Sequence, residues 1–123
     1  MRVVFIVNSI SRDYSDVIQM IDRSLGDFPT LRIEVEPTKS AGDAFRIAHH
    51  QVKSGMVDAI VACGGDGTVN EVLNGVAFAE PTREVWMGVH QCGSANDLTK
   101  SMESKSISQI LQALSKRQAI NCD

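Results

Sequence analysis

The stretch Val57-Asp58-Ala59-Ile60-Val61-Ala62-Cys63-Gly64-Gly65-Asp66-Gly67-Thr68 decides the fold. Its first part is a short apolar run, and it predicts a strand over 57–63 buried on both faces, as in a parallel sheet covered by helices. A glycine turn follows at once. Beyond it Val69, Val72 and Leu73 share one helical face, which predicts a short helix over 68–74 stopped by Gly75. Strand, glycine turn and helix in immediate succession are half of a βαβ unit.

Working outward, residues 2–8 (Arg-Val-Val-Phe-Ile-Val-Asn) form a second such strand, and Asn8-Ser9-Ile10-Ser11-Arg12-Asp13 reads as the loop after it. Val17, Ile18, Ile21 and Leu25 at helical spacing predict a helix running to Gly26 as C-cap. Leu31, Ile33 and Val35 alternate with polar residues and mark a strand ended by Pro37. A helix opening at Ser40 or Asp43 has its stripe at Ala44, Ile47, Ala48 and Val52 and ends at Gly55. Val85 to Val89 is a further strand, leading to a second glycine turn, Gly93-Ser94-Ala95-Asn96-Asp97. Ile107, Ile110, Leu111 and Leu114 predict a helix over 106–114, and Ala119 to Cys122 a last short strand.

This alternation predicts an α/β fold: a three-layer, Rossmann-like, mostly parallel sheet of about five strands with helices on both faces. Ligands on such sheets bind beyond the carboxyl ends of the strands. Loops 8–15, 63–68 and 90–97 therefore share one rim, and these are polar or glycine-rich.

A chain of 123 residues suits one domain. Twelve basic against fifteen acidic side chains give a net charge of -3, without the broad basic field of a nucleic-acid binder. No apolar run approaches the roughly 18 residues of a membrane span, and Val3 to Val7 is too short for a signal-peptide core. Cys63, Cys92 and Cys122 are too widely spaced for a metal knuckle or disulfide framework, so a reducing, cytoplasmic compartment is expected.

Gly64-Gly65-Asp66-Gly67-Thr68 combines backbone that a ligand can approach closely with a carboxylate and a hydroxyl. Amides at the start of the following helix can receive phosphate oxygens. Thr68 can cap that helix or donate to phosphate. Asp66 repels phosphate unless a metal or proton lies between, which points to Mg²⁺ or to a base. A tight turn with an aspartate N-cap is the alternative. The turn is neither a P-loop nor a dinucleotide fingerprint, lacking Gly-Lys-Thr/Ser and the G-x-G-x-x-G order.

The run Gly64-Gly65-Asp66-Gly67-Thr68-Val69-Asn70-Glu71-Val72-Leu73-Asn74-Gly75 resembles the signature of the diacylglycerol kinase catalytic-domain family, with its bacterial lipid kinases and sphingosine and ceramide kinases. More distantly it is similar to NAD kinase and phosphofructokinase. The resemblance extends to Val3–Asn8, to Thr38, to Asn96-Asp97 and to the terminal Ile120-Asn121-Cys122-Asp123. It implies the first, nucleotide-binding domain of an enzyme that moves the γ-phosphoryl group of ATP to a lipid hydroxyl with Mg²⁺. Asn8, Thr38, Gly64, Gly65, Asp66, Gly67 and Thr68 become nucleotide-site candidates. Glu71 supports the turn or the adenosine end, while Ser94, Asn96 and Asp97 lie where two domains meet. Asp66 is the catalytic and metal candidate, as base or metal organiser. The lipid would be held by a β-rich second domain, with peripheral membrane contact, and residues 1–123 correspond to the first domain only. A piece of a longer protein is expected rather than a short paralogue.

The first loop departs from the family's Asn-Pro-x-Ser-Gly, having neither proline nor glycine. Arg12 supplies a charge that Asp13 offsets. Gln91-Cys92-Gly93-Ser94 replaces a Pro-x-Gly-Thr, keeping the hydroxyl. Two alternatives stay open: a non-catalytic nucleotide-binding or interaction module, and a NAD-kinase-like small-molecule kinase, which the extended Thr68–Glu71 and Asn96-Asp97 fit less well. His49 and His50 point about 100° apart on a helix and cannot share one metal. His90 ends a strand beside the second turn. Cys63 packs as a small buried residue, and Phe5 and Trp86 are core aromatics. Lys100, Lys105, Lys116 and Arg117 read as a solvated flank.

Overall fold

The computed structural model describes residues 1–91 and 106–121. Along the chain run β1 (Arg2–Asn8), α1 (Tyr14–Ser24), β2 (Arg32–Thr38), α2 (Asp43–Ser54), β3 (Ala59–Gly64), α3 (Asp66–Phe78), β4 (Trp86–Gln91) and α4 (Ile107–Asn121). The strands form one sheet in the order β2-β1-β3-β4, parallel at every pairing. In register, Val3 faces Ala59 and Val7 faces Cys63 across the central pair.

Residues 3–7 of β1 and all of β3 are buried, which explains their unbroken apolar runs. Alternate residues serve opposite layers. Val3, Phe5, Val7, Val61 and Cys63 pack with Val17 and Ile21 of α1 and with Ile107, Ile110, Leu111 and Leu114 of α4. Val4, Ile6, Ile60 and Ala62 pack with Ala44, Ala48 and Val52 of α2 and with Val69 and Val72 of α3. Fully burying each Val, Ile, Leu or Phe among these contributes about 1.5–3 kcal/mol. The central pair, apolar on both faces, is thus the part of the sheet most costly to expose. The three-layer α/β expectation holds.

Several boundaries differ from expectation. No strand forms over 119–121: α4 continues through Asn121, and Cys122 lies outside the described residues. Between Ile107 and Asn121 there is neither glycine nor proline, so nothing breaks the helix that the 107–114 stripe anchors. The sheet accordingly has four strands among the described residues. Pro37 lies within β2, opposite Val7, because β2 is an edge strand that needs no donor on its outer side. Gly26 is not the C-cap of α1, which ends at Ser24 with Leu25 in helical conformation and exposed.

Gly75 does not stop α3 either. The helix runs on to Phe78, and Gly75 is buried against α2. A β-carbon there would lie 2.5 Å from the Phe45 carbonyl oxygen and 2.9 Å from Ala48 Cβ. The residue is small so that two helices can meet backbone to side chain, not so that one can end. Gly75→Ala is therefore expected to destabilise by about 1–3 kcal/mol through overpacking. Gly26→Ala, with nothing within 4 Å of the new methyl, should stay within about 0.5 kcal/mol of wild type. Urea denaturation of the two variants checks this, and equal losses would contradict the close helix contact.

Candidate functional site

A parallel sheet places every strand-to-helix loop on one rim, and the order β2-β1-β3-β4 reverses direction between β1 and β3. From β1 the chain crosses to β2 on one side, and from β2 it returns to β3 on the other. The loops after β1 and β3 consequently diverge and leave a crevice, where α/β sheets hold ligands. A cleft of about 260 Å³ opens there, lined from β1's end by Asn8 and Ile10, from the β2–α2 loop by Thr38, Lys39 and Ser40, and from α3 by Gly67, Thr68 and Glu71.

The first loop is held by its own hydrogen bonds. The Asn8 carboxamide oxygen accepts the Ile10 N–H at 3.0 Å, an Asx turn that leaves the NH₂ end as the group Asn8 can offer a ligand. Ser9 donates twice to the Thr38 carbonyl, through its N–H at 2.9 Å and its hydroxyl at 2.5 Å. The Ser11 hydroxyl accepts the Asp13 N–H at 3.2 Å. Three polar side chains thus set a loop that needs neither glycine nor proline. A proline at position 9 would lack both donors. Arg12 is exposed and does not line the cleft; among the described residues Lys39 is the cation that does.

The glycine turn works by closeness instead of by unusual dihedrals. Gly64 ends β3, Gly65 is the extended N-cap of α3 (φ −89°, ψ −167°) and Asp66 is the first helical residue. None of Gly64, Gly65 and Gly67 has positive φ. A β-carbon on Gly64 would lie 2.7 Å from both Cβ and Oγ1 of Thr68, so the helix doubles back directly over the strand's end. The N-cap of α3 is Gly65, and so neither Asp66 nor Thr68 holds that position. The first N–H groups of a helix lie at the positive end of its dipole, where an anion is favoured.

Asn8, Thr38, Gly67, Thr68 and Glu71 line one cleft. Gly64, Gly65 and the half-buried Asp66 adjoin the cleft through the turn without lining it. Ser94, Asn96 and Asp97, and with them the second glycine turn, lie outside the described residues. The loop after β2 is an addition. It is polar and short, and its place on the rim follows from the parallel sheet once β2 is recognised. Its shape comes from Asp43, whose Oδ2 accepts the N–H groups of Lys39 (2.9 Å) and Ser40 (3.1 Å) while Arg46 pairs with Oδ1. Those two backbone bonds first, and the Arg46 charge after them, hold the Asp43 carboxyl below the usual carboxylate range.

Among the described residues no three His, Cys, Asp or Glu side chains gather as a metal site. His49 stacks on Phe45, with ring centroids 6.1 Å apart, away from the cleft. Phe5 is fully buried, whereas Trp86 is half-buried beneath the Arg117 guanidinium at 4.1 Å. No helix among the described residues is long and apolar enough to cross a membrane.

Fold and cleft define a doubly wound α/β domain with a glycine-aspartate turn at its switch point. The chain belongs to the diacylglycerol kinase catalytic domain family, whose profile it matches over residues 2–123. It is 31% identical over 100 residues to "Probable lipid kinase YegS-like" of Pectobacterium atrosepticum, covering 81% of this chain and 32% of that protein. It is 40% identical over 65 residues to a diacylglycerol kinase of Staphylococcus epidermidis, covering 53% of this chain and 20% of that one. A crystal structure of a diacylglycerol kinase from Bacillus anthracis superposes with a TM-score of 0.72 at 28% identity, over 94% of this chain and 42% of that one. The chain thus spans well under half the length of these relatives.

Two measurements check the loop geometry. Ser9→Ala should cost about 1 kcal/mol in chemical denaturation and Ser9→Pro more, since it removes the backbone donor as well; a Ser9→Pro protein as stable as wild type would contradict the clamp. Because the Asp43 pKa is depressed, its support of the loop is complete above the unfolded value near 4 and fades as pH falls through the lower folded value. The Lys39 and Ser40 amide shifts should therefore titrate below about pH 4. A midpoint at or above the ordinary value would contradict it.

Proposed function

We propose that this chain is the nucleotide-binding domain of a lipid kinase, one that transfers the γ-phosphoryl group of ATP to a lipid hydroxyl with Mg²⁺. The observation that carries this is the meeting of Asn8, Thr38, Lys39, Gly67 and Thr68 in one cleft at the switch point, beside the start of α3. Family membership supports the kinase class. The relatives' names support a lipid as acceptor.

In this reading the α3 amides and the Thr68 hydroxyl receive phosphate oxygens, and Lys39 neutralises part of their charge. The Asn8 NH₂ and Thr38 orient the nucleotide. Asp66, at the mouth of the turn, organises the cation or serves as base. Mg²⁺, when bound, supplies charge stabilisation to the transferring phosphoryl group. Phosphoryl transfer depends on positioning and water exclusion, so the lipid-binding and closing surface is assigned to a second domain such as the family's β-rich one. Work at the membrane is then peripheral, from the cytoplasmic side.

An NMR titration of the 123-residue chain with ATP and Mg²⁺ tests the reading. Saturable amide shifts are expected at Gly64 to Thr68, with smaller ones at Asn8 and Thr38, and their loss in Asp66→Ala with the fold intact. Unchanged spectra at millimolar ATP would favour the non-catalytic interaction module instead.

A further inference from the structure

Glu71 lines the cleft, yet its carboxylate is already in use. Oε1 accepts the N–H of Gly42 at 3.0 Å and the N–H of Phe45 at 3.4 Å. Gly42 is the N-cap of α2, in left-handed conformation with φ 91°, and α2 has no side-chain cap from its own segment. A carboxylate from α3 thus performs across 29 residues of sequence the task that a serine or aspartate N-cap performs locally. The charge also lies at the positive end of the α2 dipole, where an anion is favoured.

Two acidic side chains therefore hold the loop between Thr38 and Asp43. Asp43 ties its beginning at Lys39 and Ser40, and Glu71 ties its end at Gly42. Between the two ties, Lys39, Ser40 and Ala41 form one wall of the cleft. The glycine turn and this wall are otherwise parts of different βα units. The Glu71 carboxylate joins them, since it is on the helix that the turn opens.

We propose that Glu71 is a positioning residue: it fixes the Lys39–Gly42 wall against the glycine turn by capping α2, and so sets cleft affinity without touching nucleotide or metal. This rests on the nucleotide-binding reading above. Two N–H donors on one carboxylate oxygen, at a helix N-terminus, satisfy the charge where it stands. If releasing the wall lowers the competent fraction of the cleft to about a tenth, apparent affinity falls about tenfold.

The experiment is a set of ATP titrations on the 123-residue chain, with and without Mg²⁺, for wild type, Glu71→Gln and Glu71→Ala, with the Gly42 and Phe45 amide shifts recorded in each. Glutamine keeps a carbonyl oxygen that accepts the same two bonds. Glu71→Gln should stay within about threefold of wild type and keep both amide signatures, while Glu71→Ala should weaken ATP about tenfold, with and without Mg²⁺ alike, and lose both signatures. Should Glu71→Ala not fold, Glu71→Asp, one methylene shorter, is expected to show the same losses. Unchanged affinity once the amide signatures are gone would overturn the proposal. So would a Glu71→Gln defect seen only with Mg²⁺, which would make Glu71 a metal ligand. A wild-type chain that takes up no ATP at all overturns the functional reading itself, a result separate from any difference among the variants.

Discussion

Everything at the candidate site depends on the parallel pairing of β1 with β3. Among the described residues these two strands are the only ones with fully buried apolar side chains in both helical layers, and their register, Val3 on Ala59 through Val7 on Cys63, fixes which loop residues face one another above them. Because β1 connects outward to β2 while β3 is entered from β2 and leaves toward β4, the loops above the pair part company. The cleft is the consequence of that topology, not of any special loop sequence.

The loops then turn an opening into a site by different means. The β1 loop is closed by side-chain hydrogen bonds from Asn8, Ser9 and Ser11. The β3 turn is closed by contact, with Thr68 packed where a β-carbon of Gly64 would be. The β2 loop is held by carboxylates, Asp43 from the following helix and Glu71 from α3. Among the described residues Lys39 is the basic side chain on the cleft wall. At the other rim, Asp58 accepts the Arg2 N–H at 2.7 Å and pairs with Arg83, tying down the starts of β1 and β3. One end of the sheet is spent on attachment and the other is left polar and open.

Most of the architecture was legible in the sequence because burial on both faces writes itself as unbroken apolar runs, as in Val3–Val7 and Ala59–Cys63. Composition does not distinguish a glycine that ends a helix from one that lets helices touch, and Gly75 is the second kind. The 107–114 stripe located α4 but not its end, since side chains beyond the buried stripe carry no periodic signal. Pro37 looked like a terminator because edge position is a property of the sheet, not of the strand. The glycine turn announced the site. The sequence offers Glu71 as support for the turn or the adenosine end, but not its bond to α2, because a bond from α3 to the amides of α2 leaves no local pattern. The Lys39–Gly42 wall was overlooked because it is short and has a single glycine at its end.

In the proposed function, phosphates are received at the rim where β1 and β3 diverge. Paramagnetic broadening by Mn²⁺–ATP, with Mn²⁺ in place of Mg²⁺ on the 123-residue chain, tests it most directly, because it reports distance from the bound cation and not merely a change of environment. Selective broadening of the amides from Gly64 to Thr68, and of Asn8 and Lys39, with Arg2, Arg32 and Asp58 at the opposite rim left sharp, is the result predicted. Broadening centred on that opposite rim, or spread evenly over exposed carboxylates, would contradict it.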